Sequence, residues 1–348
     1  MPELFDHDYV ASKDGFIFCV LGYEHPKDAA VAYLKYIESS SGKWGFGERK
    51  FERRLRAYSV PAVLDTISFL REKNPRYVRL LEPWGIEMSV VPKDLISQHL
   101  RPQNRLAEMM ETQRRDELEE LVVQLVELLS KEAGVEARRF GVTGSVLAGI
   151  HNPSFSDIDL TVHGKVAVER VAATLRELLS EEGLLVRRFS GSELRSWCAD
   201  KAKIHPISER DAERLYERMW NRGVFRGRMF SVHPIRGEEE VGWRYGDRVY
   251  RAKGFAKVVL RVVDDLESAY LPGDYLVNVV EVLEGSPPED LRTLTTFEGL
   301  YGGVFEEGDL IEVFGKVEEV TDLRKREVFY RLVVGSPELA GKDYAKLI

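Results

Sequence analysis

The sequence is poor in amides. Five asparagines and four glutamines stand against 50 Lys+Arg and 58 Asp+Glu in 348 residues. Few thermolabile amides among many Glu, Lys and Arg is a thermophile-like bias; it carries no information about function. Cysteine is nearly absent too. Cys19 and Cys198 lie far apart and match no metal spacing, so they read as two buried thiols in a reducing compartment. No apolar run approaches the length of a membrane span. The N-terminus, "MPELFDHDYV", has no basic-then-apolar signal pattern. These absences exclude a disulfide scaffold and a spanning helix, and point to a soluble cytoplasmic protein. Internal repeats and low-complexity tracts are missing as well.

What is present is enough chain for two or three cored domains, at 44% hydrophobic and 31% charged residues. The net charge of −8 is unevenly spread. Residues 237–348 carry −9 and the remainder +1. Within that remainder, residues 48–79 and 201–236 each carry nine basic and four acidic residues. Two stretches of net +5 on a near-neutral body suit phosphates, or they solvate two helical faces.

Residues 8–22 read as a β-hairpin turning at "SKDG". "HPKDAAVAYLKYI" reads as a helix starting near Pro26, residues 39–50 as a Gly/Ser loop, and "VPAVLDTISFLREKNP" as a second helix. This gives a small α+β domain over residues 1–105. A central domain, 106–240, opens with an amphipathic helix over 114–134, ended by Gly134. A short strand "ARRFGV", a Gly144-Ser145 turn, the strand "DIDLTVH", a helix over 165–183 and a strand "LLVRRF" follow, which is an α/β unit. Residues 191–227 read as helical and "GRMFSVHPIR" as strand. From 241 to 348, alternating β-branched runs predict an antiparallel β domain, a small barrel of oligonucleotide-binding size.

One stretch carries chemistry: "GVTGSVLAGIHNPSFSDIDLTVHG", residues 141–164. In a strand, residues i and i+2 share a face, so Asp157 and Asp159 project together while Ile158 and Leu160 enter the core. Neighbouring carboxylates raise each other's pKa unless a cation lies between them, and oxygen-only ligands suit Mg²⁺ or Mn²⁺. Gly144 allows close backbone approach to a ligand. Ser145, at a short helix start, brings a hydroxyl and free N–H groups for phosphate oxygens.

"TGS", eleven residues, then "DID" between apolar neighbours resembles the signature of the polymerase β-like nucleotidyltransferase superfamily. "NPSFSDIDL" is similar to the segment preceding the aspartates in archaeal-type tRNA nucleotidyltransferases and in small-molecule nucleotidyltransferases. The layout of the whole chain resembles an archaeal group of predicted nucleotidyltransferases. The motif resemblance covers about residues 116–190, extending toward 235, and not the ends. It implies an α/β nucleotidyltransferase core within an α+β multidomain chain. Gly144 and Ser145 would bind the triphosphate of an NTP such as ATP, and Asp157 and Asp159 would hold the metals. Active members usually carry a third carboxylate on a later strand. Here "LLVRRFS" has none, and Ser231 occupies the matching position in "RMFSVHPIR". His233 is the nearest replacement, as metal ligand or proton acceptor, followed by Asp247 and then Asp200.

His151, between the halves of the motif, reads as a solvent-facing loop residue. "HPKD" and "HPIS" read as helix starts. Arg218, Arg222, Arg226 and Arg228, interleaved with Tyr216, Trp220 and Phe225, are candidate nucleic-acid contacts, although Trp220 fits a core equally well. The C-terminal unit's −9 argues against unaided binding to a polyanion and favours a docking or homodimer surface. Two functions from different classes emerge. One is transfer of NMP from an NTP to an acceptor hydroxyl, with nucleic acid, RNA before DNA, as the favoured acceptor. The other is a nucleotide or RNA sensor without chemistry. A third carboxylate or histidine beside Asp157 and Asp159 separates them.

Overall fold

A computed structural model describes residues 3–46, 49–180, 183 and 185–348. The protein is a mixed α+β, multidomain chain built around three sheets.

The first sheet takes eight strands: β1 (Tyr9–Ser12), β2 (Phe16–Val20), β3 (Ala29–Glu38), β4 (Trp44–Phe46), β5 (Arg49–Arg53), β6 (Val78–Leu81), β7 (Ile86–Pro92) and β8 (Ile96–Leu100). Helix α1 (Val60–Lys73) lies against it. β1 and β2 form the expected hairpin. The expected helix after Pro26 is instead β3, the strand that joins β2, β5 and β7. Its run AAVAYLKYIE is buried almost throughout. A short, continuously apolar run has no periodicity to separate helix from strand, and burial on both faces decides for the strand. The 39–50 stretch, read as a loop, forms β4 paired with β5, with residues 47 and 48 outside the described set.

Next come α2 (Pro102–Glu111), α3 (Glu117–Ala133), β9 (Phe140–Val142), α4 (Gly144–Leu147), β10 (Ile158–His163), α5 (Lys165–Ser180), β11 (Val186–Arg187), α6 (Gly191–Ile204), α7 (Glu209–Arg218), β12 (Arg222–Phe225) and β13 (Arg228–Ile235). Gly134 ends α3 in the left-handed conformation glycine adopts without strain. The central sheet runs β11-β12-β13-β10-β9, with β10 and β13 parallel. Ile158, Leu160 and Val162 are fully buried, in one core with Val122 and Val126 of α3 and Val171 and Leu175 of α5. Leu184, in the expected strand "LLVRRF", lies outside the described residues; the strand seen is Val186–Arg187. The long helical reading of 191–227 is corrected. Helix ends at Ile204 and at Arg218, and residues 222–225 pair with β13. The break falls at His205-Pro206, because the residue before a proline disfavours helix; Ser208 then caps α7.

The third sheet holds β14 (Arg248–Glu267), β15 (Gly273–Glu284), β16 (Leu291–Thr296), β17 (Leu310–Asp322), β18 (Glu327–Val334) and β19 (Tyr344–Leu347). Pairing runs β14-β15-β16-β18-β17 and returns from β17 to β14, so the strands form a cycle with β19 outside it; the expected all-antiparallel pairing is broken where β16 and β18, which are not joined by a hairpin, run parallel. The units interlock. Thr143 donates to the His7 carbonyl at 3.3 Å, Glu298 accepts from the Val60 amide at 3.2 Å, and Arg218 pairs with Asp309. No described helix is long and apolar enough to cross a membrane.

Candidate active site

β10 alternates as its sequence demands. Asp159 and Thr161 point away from the core that holds Ile158 and Leu160, and Asp157 immediately precedes the strand. The loop before Asp157 is pinned from several sides. Arg228 donates to the carbonyls of Pro153, at 2.6 Å, and Ser156, at 3.4 Å. The Asn152 amide donates to Ser156 Oγ at 3.0 Å. His151 is not solvent-facing: it is buried, with Nε2 2.7 Å from the carboxylate of Asp116. That same carboxylate takes part in the capping box of α3, so one acid ties the helix start to the loop.

Gly144 opens the four-residue α4 at φ +69°. A Cβ there would collide with Asp159 Oδ2. Glycine is thus required twice, for its backbone conformation and for the space beside the carboxylate. The other oxygen of Asp159 accepts from Ser231 Oγ at 2.6 Å, directly across the parallel pairing of β10 and β13. His233 Nε2 lies 3.0 Å from Ser231 Oγ, and its ring rests 4.3 Å from that of His7. Burial, then the neighbouring His7 and Lys35, holds His233 well below the usual histidine range. It is a neutral partner of Ser231.

The surface of Asp157 stays open to solvent, yet it sits in a recess. Burial, then Asp159, pushes its carboxyl up to about 6, while Arg228 and Arg53 pull the other way. The charge of Asp159 acts in turn on Arg53 of β5 and Arg222 of β12. Arg222 is itself held low by burial, its Nε is buried without a hydrogen-bond partner, and its guanidinium lies over Trp197 at 5.8 Å. Lys201 of α6 is pushed down to about 8 by burial, then by Arg222. Lys35 of β3 is buried among Tyr9, Tyr36 and Tyr58. Among the described residues none of Lys35, Arg53, Lys201, Arg222 and Arg228 forms an ion pair.

The structure thus gathers Gly144, Ser145, Asp157, Asp159, Ser231 and His233, and adds Lys35, Arg53 and Lys201. Those three were invisible as site residues in the sequence. The only signal was that two of them lie in the basic stretches and one in a buried apolar run. The four candidate arginines separate. Arg222 and Arg228 belong here, Arg218 is spent on Asp309, and Arg226 is exposed at the β12–β13 turn. Asp247 pairs with Arg324 and Asp200 with Lys203. Trp220 is core.

A divalent metal fits the donors only in part. Two carboxylates and a hydroxyl are hard oxygen donors, and Mg²⁺ binds through one or two carboxylates while keeping waters and substrate phosphates. Among the described residues no cluster of three His, Cys, Asp or Glu is assembled for a metal. A separate cavity of about 210 Å³, lined by Arg101, Arg139, His163 and Arg236 among others, does not include the aspartates.

No family model and no solved structure matches the chain. Across 347 residues, 98% of either chain, it is 28% identical to an uncharacterized protein of Methanocaldococcus jannaschii, MJ1086.

Proposed function

We propose that the protein is a metal-dependent nucleotidyltransferase, moving NMP from an NTP to an acceptor hydroxyl with release of pyrophosphate. The observation that carries this reading is one cleft in which two adjacent carboxylates, beside an obligatory glycine, face cations that have no acid of their own. Partly buried cations without partners are costly, and in a chain with more acids than bases their isolation marks a place for an anion. A polyphosphate supplies that charge. The parallel β10–β13 pair, with α3 and α5 packed together on one face of it, supports a polymerase β-like core around the cleft. The cyclic pairing of β14 to β18 supports the reading of the C-terminal unit as a small barrel.

In this reading the acceptor oxygen attacks the α-phosphorus, its hydroxyl proton passes to water, and the bond to the pyrophosphate oxygen breaks. Asp157 and Asp159 would hold Mg²⁺ or Mn²⁺. Such an ion, when bound, neutralises phosphate charge and lowers the pKa of a coordinated hydroxyl. Arg53, Lys201 and Arg222 draw the triphosphate in and offset its charge; most of the catalysis is positioning and electrostatics. Ser231 fixes Asp159 by donating to Oδ1, and neutral His233 fixes Ser231.

A second reading, a nucleotide or RNA sensor without chemistry, is favoured by one observation: a hydroxyl, Ser231, stands across from Asp159 where a third carboxylate would serve catalysis. Incubation with each α-labelled NTP and Mg²⁺ or Mn²⁺, with RNA, single-stranded DNA and the protein itself as acceptors, separates the two. Label incorporation that Asp157→Ala/Asp159→Ala abolishes is the expected result. Nucleotide binding without incorporation by the intact protein selects the sensor.

A further inference from the structure

We propose that the mouth of the Asp157–Asp159 cleft receives a single-stranded nucleic acid, with bases stacked on Phe155 and Tyr58 and phosphates drawn by the cations beside them. What happens to that strand rests on the transferase reading; the binding itself does not.

Phe155 is 44% exposed and Tyr58 47%. Among the described residues only one other Phe or Tyr side chain, Phe255, is as open as these. Phe155 stands two residues before Asp157, on the loop that Arg228 pins. Trp44 of β4 packs edge-on behind it at 5.7 Å, so the ring is held rather than loose. Tyr58 stands on another rim, just before α1. Its ring covers Arg53 at 5.0 Å and Lys35 at 5.2 Å, and Arg53 acts on both aspartates. Exposed aromatics on separate elements, with Arg53 and Lys35 beside one and Arg228 holding the loop of the other, are the composition of a stacking platform for single strands. An acidic protein would match the cations but leave the rings without a purpose. A duplex hides the base faces that the rings would meet.

Fluorescence anisotropy of the full chain with an unstructured, end-labelled 12-nucleotide RNA tests this, beside the same sequence as DNA and a 12-base-pair RNA duplex. Single strands should bind tighter than the duplex, and more weakly as salt rises. Phe155→Ala and Tyr58→Ala should each weaken single-strand binding roughly 5- to 100-fold. Tyr58→Phe, which keeps the ring, should not, nor should Leu80→Ala at an exposed site on β6. Equal losses with RNA and DNA would support recognition of bases and phosphates alone, and losses with RNA alone would add the 2′-hydroxyl. Single strands bound no better than the duplex, or unchanged by both alanine variants, would overturn the proposal. Strand binding with no nucleotide incorporated would uphold it and remove the transferase reading. Incorporation into another acceptor without strand binding would do the reverse.

Discussion

The two basic stretches carry the same net charge and use it differently. In residues 48–79, arginines 49, 54, 71, 76 and 79 each pair with a carboxylate, and all five pairs involve solvent-exposed side chains. Arg53 alone of that stretch is turned to the cleft. In residues 201–236, Arg222 and Arg228 reach it without forming an ion pair, and Lys201 lies beside Arg222. Adjacent residues make the point most sharply. Arg54 faces Asp65 at 2.8 Å, and Arg53 faces Asp157 and Asp159 across the cleft. A run of positive charge therefore does not locate a binding face. In the proposed function the half-buried cations left without acids do, because a surface pair is worth little to stability while an unpaired, half-buried cation costs free energy that an anion would offset.

The largest effect that this comparison predicts is at the carboxylates. Asp159→Asn should lower metal-dependent label transfer about 100-fold or more, with folding kept, as read by incorporation and circular dichroism. Next are the unpaired cations. Arg222→Ala should weaken NTP binding about 10- to 100-fold, the scale of a lost charge-assisted hydrogen bond. Arg76→Ala, at a surface pair, should leave it unchanged. Calorimetric titration of both variants reads the contrast, and equal losses would break it. Gly144→Ala should destabilise the fold by about 1–2 kcal/mol through its positive φ, measurable by urea unfolding, and should displace Asp159 as well.

A smaller effect concerns pH. Lys201 is charged below about 8 and neutral above it. Pyrophosphate affinity should accordingly hold up to pH 7 and fall as pH rises through 8, and Lys201→Arg should carry the plateau to higher pH. A profile identical in the variant would remove Lys201 from the site. The smallest expected effect is Arg76→Ala on stability, within about 0.5 kcal/mol.

The motif was legible because it is local. Gly144, Asp157 and Asp159 lie within one strand-turn-strand segment, and alternation along β10 assigns the acids to one face. Arg53 and Lys35 were not legible, because they arrive from another sheet, and the basic stretch around Arg53 does not separate it from neighbours that pair with acids. β3 misled for the related reason that alanine-rich apolar runs suit a helix until neighbouring strands bury both faces. His151 misled because its partner, Asp116, lies 35 residues away.

The most direct test of the central claim is the affinity of Mg²⁺·NTP for the intact protein, for Asp159→Asn and for Arg222→Ala, by isothermal titration calorimetry. Binding should need the metal, fade on Asp159→Asn and weaken at least about tenfold on Arg222→Ala. Binding that persists equally in both variants would place the nucleotide elsewhere and contradict the claim.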